Sequence, residues 1–384
     1  MRILFITGGG SATVFALVPL VSAARLAGHE VVVAAPEESV KVVCDLGLPA
    51  VSVTELGIYR AMFWDRQGNR LAPPQGEEQE MDMAGRGFAR LAVSSYPALE
   101  ELARSWRPDL VVGGSHTHAA PLLAHQFRIP FVRQAWDIHE RTEVDWLAAT
   151  DELRPELDKL GLERIPEGDL YVETTPPSLR PDDAEPAQMM RWLPGNLQVP
   201  LEPALYARGE RPRILLTSGS RSTLVPTLGS AFFRRLLDNP ALADAELVAA
   251  TSEEVASELE AEYPGRLLRA GWVPLDAVLP SCDLLIHHGG GVTTMNALNA
   301  GVPQLVLPEM ASSAIPIRRV DAYGASITLP SAEEPAEDVA AAVRTLLSDS
   351  SYRERARELS EEIAAQPLPT EVVGVLEKLT AASR

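Results

Sequence analysis

Short apolar runs alternate along the chain with longer amphipathic stretches. Ile3–Thr7, Glu30–Ala35, Ala50–Val53, Leu110–Gly113 and Phe131–Ala135 have the length and apolar content of buried strands. Val14–Ala27 predicts a helix closed by Gly28, and Val40–Asp45 and Phe88–Ala103 predict two more. Arg60–Met83 mixes Pro, Gly, Gln and charge without period and reads as a long, mobile loop. Strands alternating with helices predict an α/β domain on a doubly wound parallel sheet.

The pattern then breaks and restarts. Residues 179–212 are rich in Pro and charge, and an inter-domain linker is expected at 195–212. Arg213–Thr217 mirrors Arg2–Ile6; a helix is expected over Leu224–Asn239 and strands at Leu247–Thr251, Leu267–Ala270, Leu284–Ile286 and Gln304–Leu307. Residues 331–365 read as helical, and a last helix spans Thr370–Thr380. The expected organisation is a first domain at 1–194, a second at 213–365, and a C-terminal helix at 366–384 packing back on the first. These are two Rossmann-like doubly wound domains facing a cleft, where a ligand would bind.

Composition narrows the function. The net charge of −19 repels nucleic acid and anionic membranes. The two cysteines, Cys44 and Cys282, lie in apolar contexts and read as free core thiols of a reducing compartment. The first apolar run is too short for a signal peptide, and no stretch approaches a membrane span. A cytoplasmic protein is expected, and a homodimer is compatible with the sequence.

The chemistry concentrates in Ser281-Cys-Asp-Leu-Leu-Ile-His-His-Gly-Gly-Gly-Val-Thr-Thr294, a strand, a turn and a helix start. Gly289, Gly290 and Gly291 allow close approach of a ligand to the backbone. Thr293 and Thr294 are expected to cap the helix, whose amides and dipole suit a phosphate. His287 and His288 can donate to the same anion. Gly8-Gly-Gly-Ser-Ala-Thr13 follows the first strand like a dinucleotide fingerprint, with Glu37 as a ribose ligand, although Thr13 stands where a third glycine belongs. Asp137-Ile-His-Glu140 has the spacing of a capping box with Asp137 at its head. His116 and His118 are spaced like metal ligands, but no third ligand is evident, and no Asp-x-Asp occurs. No metal is expected.

The turn at His287–Thr294 and Ala300-Gly-Val-Pro-Gln-Leu-Val-Leu-Pro308 resemble the donor motif of nucleotide-sugar glycosyltransferases of the GT-B fold. Thr217-Ser-Gly-Ser-Arg221 and Gly271-Trp-Val-Pro-Leu275 do too. More narrowly, Ala12-Thr-Val-Phe-Ala-Leu17 and Gln134-Ala-Trp-Asp137 resemble actinobacterial aromatic-polyketide C-glycosyltransferases of the urdamycin type.

The resemblance implies an inverting, metal-independent transferase without a resident cofactor. Its co-substrate would be a thymidine-diphosphate (TDP) deoxysugar and its acceptor a planar phenolic polyketide. The His-Gly turn would hold the diphosphate together with Ser218, Gly219, Ser220 and Arg221. Trp272 would stack on the base while the Val273 backbone reads its edge. Most relatives carry Asp-Gln where this chain has Ser312 and Ser313, which favours a sugar lacking hydroxyls.

Many O-glycosylating relatives carry a histidine base in the place of Thr13, which cannot serve as one. The resemblance gives that role to Asp137, with His139 in reserve. Thr13, Phe15, Phe63, Trp64, Met81, Phe88 and His116 would line the acceptor site. O-glycosylation, a Rossmann oxidoreductase using the Gly8 loop, and a non-catalytic nucleotide-sugar holder remain alternatives.

Overall fold

In a computed structural model, residues 1–138, 142–219, 229–331 and 333–383 are described. The chain divides into two compact units. The first comprises Met1–Thr174, Asp183–Gly195 and Gln366–Arg384; the second comprises Thr175–Asp182 and Asn196–Ala365.

The first unit carries seven parallel strands: β1 (Arg2–Ile6), β2 (Glu30–Pro36), β3 (Ala50–Thr54), β4 (Leu110–Gly114), β5 (Phe131–Gln134), β6 (Leu170–Glu173) and β7 (Gln188–Met189). Their order is β3-β2-β1-β4-β5-β6-β7. Side chains alternate across the sheet. Ile3 and Phe5 pack on one face beneath the helices Ser11–Leu26 and Pro369–Ala382, through Leu17, Leu20, Val372 and Leu376. Leu4 and Ile6 pack on the other, against Ala89, Ala92 and Leu99 of the helix Glu77–Trp106.

The second unit carries β8 (Arg213–Thr217), β9 (Glu246–Ala250), β10 (Leu267–Gly271), β11 (Leu284–His287), β12 (Gln304–Val306) and β13 (Ser326–Thr328), all parallel, in the order β10-β9-β8-β11-β12-β13. Both sheets reverse their winding beside the first strand of the unit. Loops leaving the strand ends at such a switch point form the natural ligand site of an open α/β sheet. In the first unit these are the loops after β1 and β4; in the second, those after β8 and β11.

Four expectations are corrected. The segment expected as an unstructured loop contains the short helix Ile58–Phe63 and the first turns of the helix Glu77–Trp106, which begins eleven residues before Phe88. Polar residues of those turns, among them Asp82 and Arg86, hid the helical period. The expected linker is no free tether beyond Gly195: its residues from Asn196 belong to the second unit. Leu205 is buried in that core, and the buried Arg213 guanidinium donates to the carbonyl of Ala207 at 2.8 Å and to the Glu246 carboxylate at 2.8 Å. Cys44 is exposed on the helix Glu37–Asp45; Cys282 is the buried one, its thiol pushed up to about 12 by burial. Strands β6, β7 and β13 were not foreseen, because they are only partly buried and none is written as an apolar run.

Candidate active site

In the first unit the switch point is filled by protein. The Trp136 indole lies across the ends of β1 and β4, so close that a Cβ on Gly8 would fall 2.2 Å from it and one on Gly114 only 1.5 Å. Glycine is required at both positions for that reason alone. Trp136 in turn packs at 5.4 Å from Phe88 and 5.8 Å from His116. Phe88 and His116 stack at 5.2 Å with an interplanar angle of 11°. His118 meets His116 edge-on at 6.1 Å. Trp136 is tilted against Phe88 and His116, by 51° and 52°, so these rings form an aromatic wall in which only Phe88 and His116 are nearly parallel.

Asp137 follows Trp136 directly. The other end of its expected capping box, Glu140, lies outside the described residues; the next described helix begins at Glu143, and Thr142 caps it through a reciprocal box with Asp145. Asp137 stands outside that box, at the sheet edge next to the aromatic wall. His139 and Glu140 lie outside the described residues.

The expected acceptor set divides in two. Phe88 and His116 join the wall around Trp136. Phe63 and Trp64 gather instead around Tyr59, at 4.9 and 5.9 Å. Met81 lies on the long helix, half-buried. Phe15 is buried, with Gly195 tight against its carbonyl, and does not line an open surface. Thr13 turns its hydroxyl back to the carbonyls of Gly9 and Gly10, at 3.1 and 3.0 Å.

The dinucleotide reading of the Gly8 loop fails on the same geometry. The Gly10 amide donates to the Ser39 hydroxyl at 3.0 Å. The Glu38 carboxylate, which accepts from the Ile58 amide at 2.9 Å, would sit 3.5 Å from a Cβ on Gly9. A phosphate placed there would meet a carboxylate and an amide already spent.

The second unit's switch point is built differently. The helix Gly291–Ala300 starts directly at the third glycine, with Gly290 as N-cap and no side chain capping it. Thr293 and Thr294 therefore lie inside the first turn rather than at its cap, and the Thr294 hydroxyl donates to the Gly290 carbonyl at 3.1 Å. A helix start without a side-chain cap presents amide donors and a positive dipole end.

The two histidines separate. His287 is completely buried, and its Nδ1 accepts the Gly289 N–H at 3.2 Å. Burial, reinforced by His288, drives it down to about 3 against a weaker raising influence from Gln304, so the ring is neutral. The expectation that it reaches the ligand is corrected: it shapes the turn from behind. His288 is only half-buried, and its ring covers Gly219 and Gly290, where a Cβ would come within 2.4 and 2.7 Å. Gly289, at φ +90°, faces Ser313. Gly219, His288, Gly290 and Ser313 thus converge at one place, and Ser312 adjoins in the same short turn; Ser218, expected among the donor contacts, is completely buried. Ser220 and Arg221 lie outside the described residues.

Trp272 is half-buried, and its indole N–H donates to the Leu197 carbonyl at 2.9 Å while its backbone amide reaches Glu253 at 3.3 Å. Val273 is buried. Among the described residues, no group of three or more His, Cys, Asp or Glu could hold a metal ion, and no helix is long and apolar enough to cross a membrane.

Two parallel-sheet Rossmann-like domains, one with a His-Gly turn at its switch point, define the class of nucleotide-sugar glycosyltransferases of GT-B fold. The chain belongs to the erythromycin biosynthesis protein CIII-like family, whose N-terminal and C-terminal domain models match residues 22–219 and 234–379. It is 32% identical to the L-demethylnoviosyl transferase of Streptomyces niveus over 97% of this chain and 96% of that one. Among solved structures it resembles the Streptomyces sp. SF2575 glycosyltransferase SsfS6 complexed with thymidine diphosphate, at 34% identity and a TM-score of 0.86 over 98% and 99% of the two chains. The spinosyn rhamnosyltransferase SpnG complexed with spinosyn aglycone is 27% identical, with a TM-score of 0.86 over 98% and 100%. The chain is therefore a glycosyltransferase, and the oxidoreductase alternative is set aside.

Proposed function

We propose that this glycosyltransferase moves a deoxysugar from its thymidine-diphosphate carrier to an aromatic polyketide, with inversion and without a metal, forming a carbon–carbon bond. The donor class is supported by thymidine diphosphate in SsfS6 and by relatives named for deoxysugar transfer, such as the aclacinomycin 2-deoxy-L-fucose transferase of Streptomyces galilaeus. What supports this reading is Asp137, a carboxylate that directly follows Trp136 of the Trp136–Phe88–His116 cluster, while Thr13 offers no basic group.

In this reading the acceptor lies flat against that wall. Asp137 accepts the phenolic proton, and the resulting phenolate carries charge onto its ring carbons. One of these attacks the anomeric carbon as the bond to the diphosphate breaks. The hydrogen on the attacked carbon then leaves as a proton, restoring aromaticity. His288 and the amides of the Gly290–Gly291 helix start stabilise the departing diphosphate, where negative charge grows. Base assistance of this kind is worth roughly 10²–10⁴ in rate.

O-glycosylation is the second reading, favoured by relatives named as desosaminyl and mycarosyl transferases of erythronolides. Product analysis separates the two. A carbon linkage survives acid hydrolysis and shows an anomeric carbon bonded to a ring carbon by NMR; release of free sugar by acid assigns O-linkage. Turnover in excess EDTA tests metal independence. A kcat/KM favouring 2,6-dideoxy over fully hydroxylated donors tests the Ser312–Ser313 reading.

A further inference from the structure

Behind the His-Gly turn lies a polar pair in an otherwise apolar layer. Strands β11 and β12 run parallel, with Leu285 opposite Gln304 and His287 opposite Val306. These four side chains share one face of the sheet, the face on which Leu285 packs against Leu215 and Ala297. Gln304 is completely buried there, a primary amide in the strand Gln-Leu-Val.

Neither its Oε1 nor its Nε2 forms a hydrogen bond of ordinary length, and the same holds for Nε2 of His287. A fully buried amide and a fully buried ring nitrogen without partners are costly, and a fold that keeps both places them for a reason. The imidazole's other nitrogen is committed, since Nδ1 accepts from the Gly289 amide. A neutral ring that accepts at Nδ1 carries its proton on Nε2. Gln304 lies two residues before Val306, the partner of His287 on β12, and so on the same face of the neighbouring strand.

We propose that Gln304 is a positioning residue of the donor site: its amide oxygen receives the His287 Nε2–H and so keeps the Nδ1 lone pair for Gly289. The locked ring holds Gly289 at φ +90° and leads the backbone into Gly290, over which His288 sits. Loss of the lock lets His287 sample the tautomer with its proton on Nδ1. That tautomer cannot accept from Gly289, so the turn loses its anchor. The inference rests on His288 as a diphosphate contact.

The test uses the full chain with ¹⁵N-labelled histidine, in the wild type, Gln304→Met and His288→Ala. Methionine keeps the length of the side chain and removes the amide. The wild-type spectrum should show His287 as a neutral ring protonated at Nε2 alone; a proton on Nδ1 in the wild type overturns the proposal without any variant. In Gln304→Met the Nδ1-protonated form should appear, TDP affinity should fall roughly three- to tenfold, about the worth of one hydrogen bond, and donor KM should rise while acceptor KM holds. An unchanged tautomer together with unchanged TDP affinity in a folded Gln304→Met overturns it. His288→Ala separates the two readings. If TDP affinity is unaffected by His288→Ala, the diphosphate assignment fails and the consequence for donor binding falls with it. If it drops there but not in Gln304→Met, the assignment stands and the role of Gln304 falls.

Discussion

The Gly8–Gly10 loop and the His287–Gly291 turn are the same piece of architecture used in opposite ways. Each leaves a central parallel strand at its sheet's switch point, passes through three glycines and opens a helix. In the first, protein occupies the space: Trp136 covers Gly8, Glu38 stands at Gly9, and Ser39 takes the Gly10 amide. In the second, the supporting side chain lies behind the turn, because His287 is sunk in the sheet and binds Gly289 from within. The outer surface is left to His288 and the glycines, while the helix start lacks a side-chain cap in both units. A glycine-rich strand–helix junction therefore marks a place where backbone approaches something closely. Whether that something is a ligand or the protein's own tryptophan depends on what neighbouring strands deliver.

The contrast can be broken experimentally, beginning with the largest effect. Asp137→Asn should lower kcat by roughly 10² or more with little change in donor affinity or melting temperature, since asparagine keeps the shape and the capping ability of aspartate. Steady-state kinetics beside a thermal melt check this; near-normal turnover would remove Asp137 as the base. In the second unit, His288→Ala should weaken thymidine diphosphate by about 1.5–3 kcal/mol, the range of one hydrogen bond to a charged group. The parallel change in the first unit, Glu38→Gln with Ser39→Ala, should leave that affinity untouched. Calorimetry on both variants decides whether the two loops differ as described.

Gly114→Ala tests the filling of the first loop. The new methyl meets the Trp136 indole, which must move. A loss of about 1–3 kcal/mol is expected from overpacking, read by denaturant titration, whereas Gly10→Ala meets no neighbour and carries only backbone strain at φ +79°.

A further effect concerns pH. The unfolded His287 ring takes a proton near its ordinary 6.5, while the folded ring resists until about 3. Between those values the unfolded state binds more protons, so this group lowers stability progressively as pH falls through the window. His287→Asn, whose amide oxygen can still accept from Gly289, should flatten the dependence of stability on pH between 6 and 4. An identical slope in both proteins would show that His287 is not buried as described.

Much of this was visible before any coordinates. Strands β1, β2, β4, β8, β9 and β11 announce themselves because a central parallel strand is buried on both faces and must be written as an unbroken apolar run. The His-Gly turn was equally plain, since consecutive glycines between a strand and a helix have few structural uses. Edge strands such as β7 and β13 left little trace, being only two and three residues long.

The chain order of polar and apolar residues thus determined the class of fold, its division into two α/β units, and the strand–turn–helix setting of the candidate donor site. Those are local properties, carried by residues close together in sequence. The tertiary structure decided the rest, because it depends on which loops meet at a switch point. It buried His287 and turned His288 outward, a distinction that two adjacent identical letters cannot express. It gave the helix cap to Thr142 and left Asp137 beside an aromatic wall assembled from Phe88, His116 and Trp136, residues separated by up to 48 positions in the chain. It also set Gln304 and His287 on one face of neighbouring strands, where a glutamine in an apolar run was the outward sign.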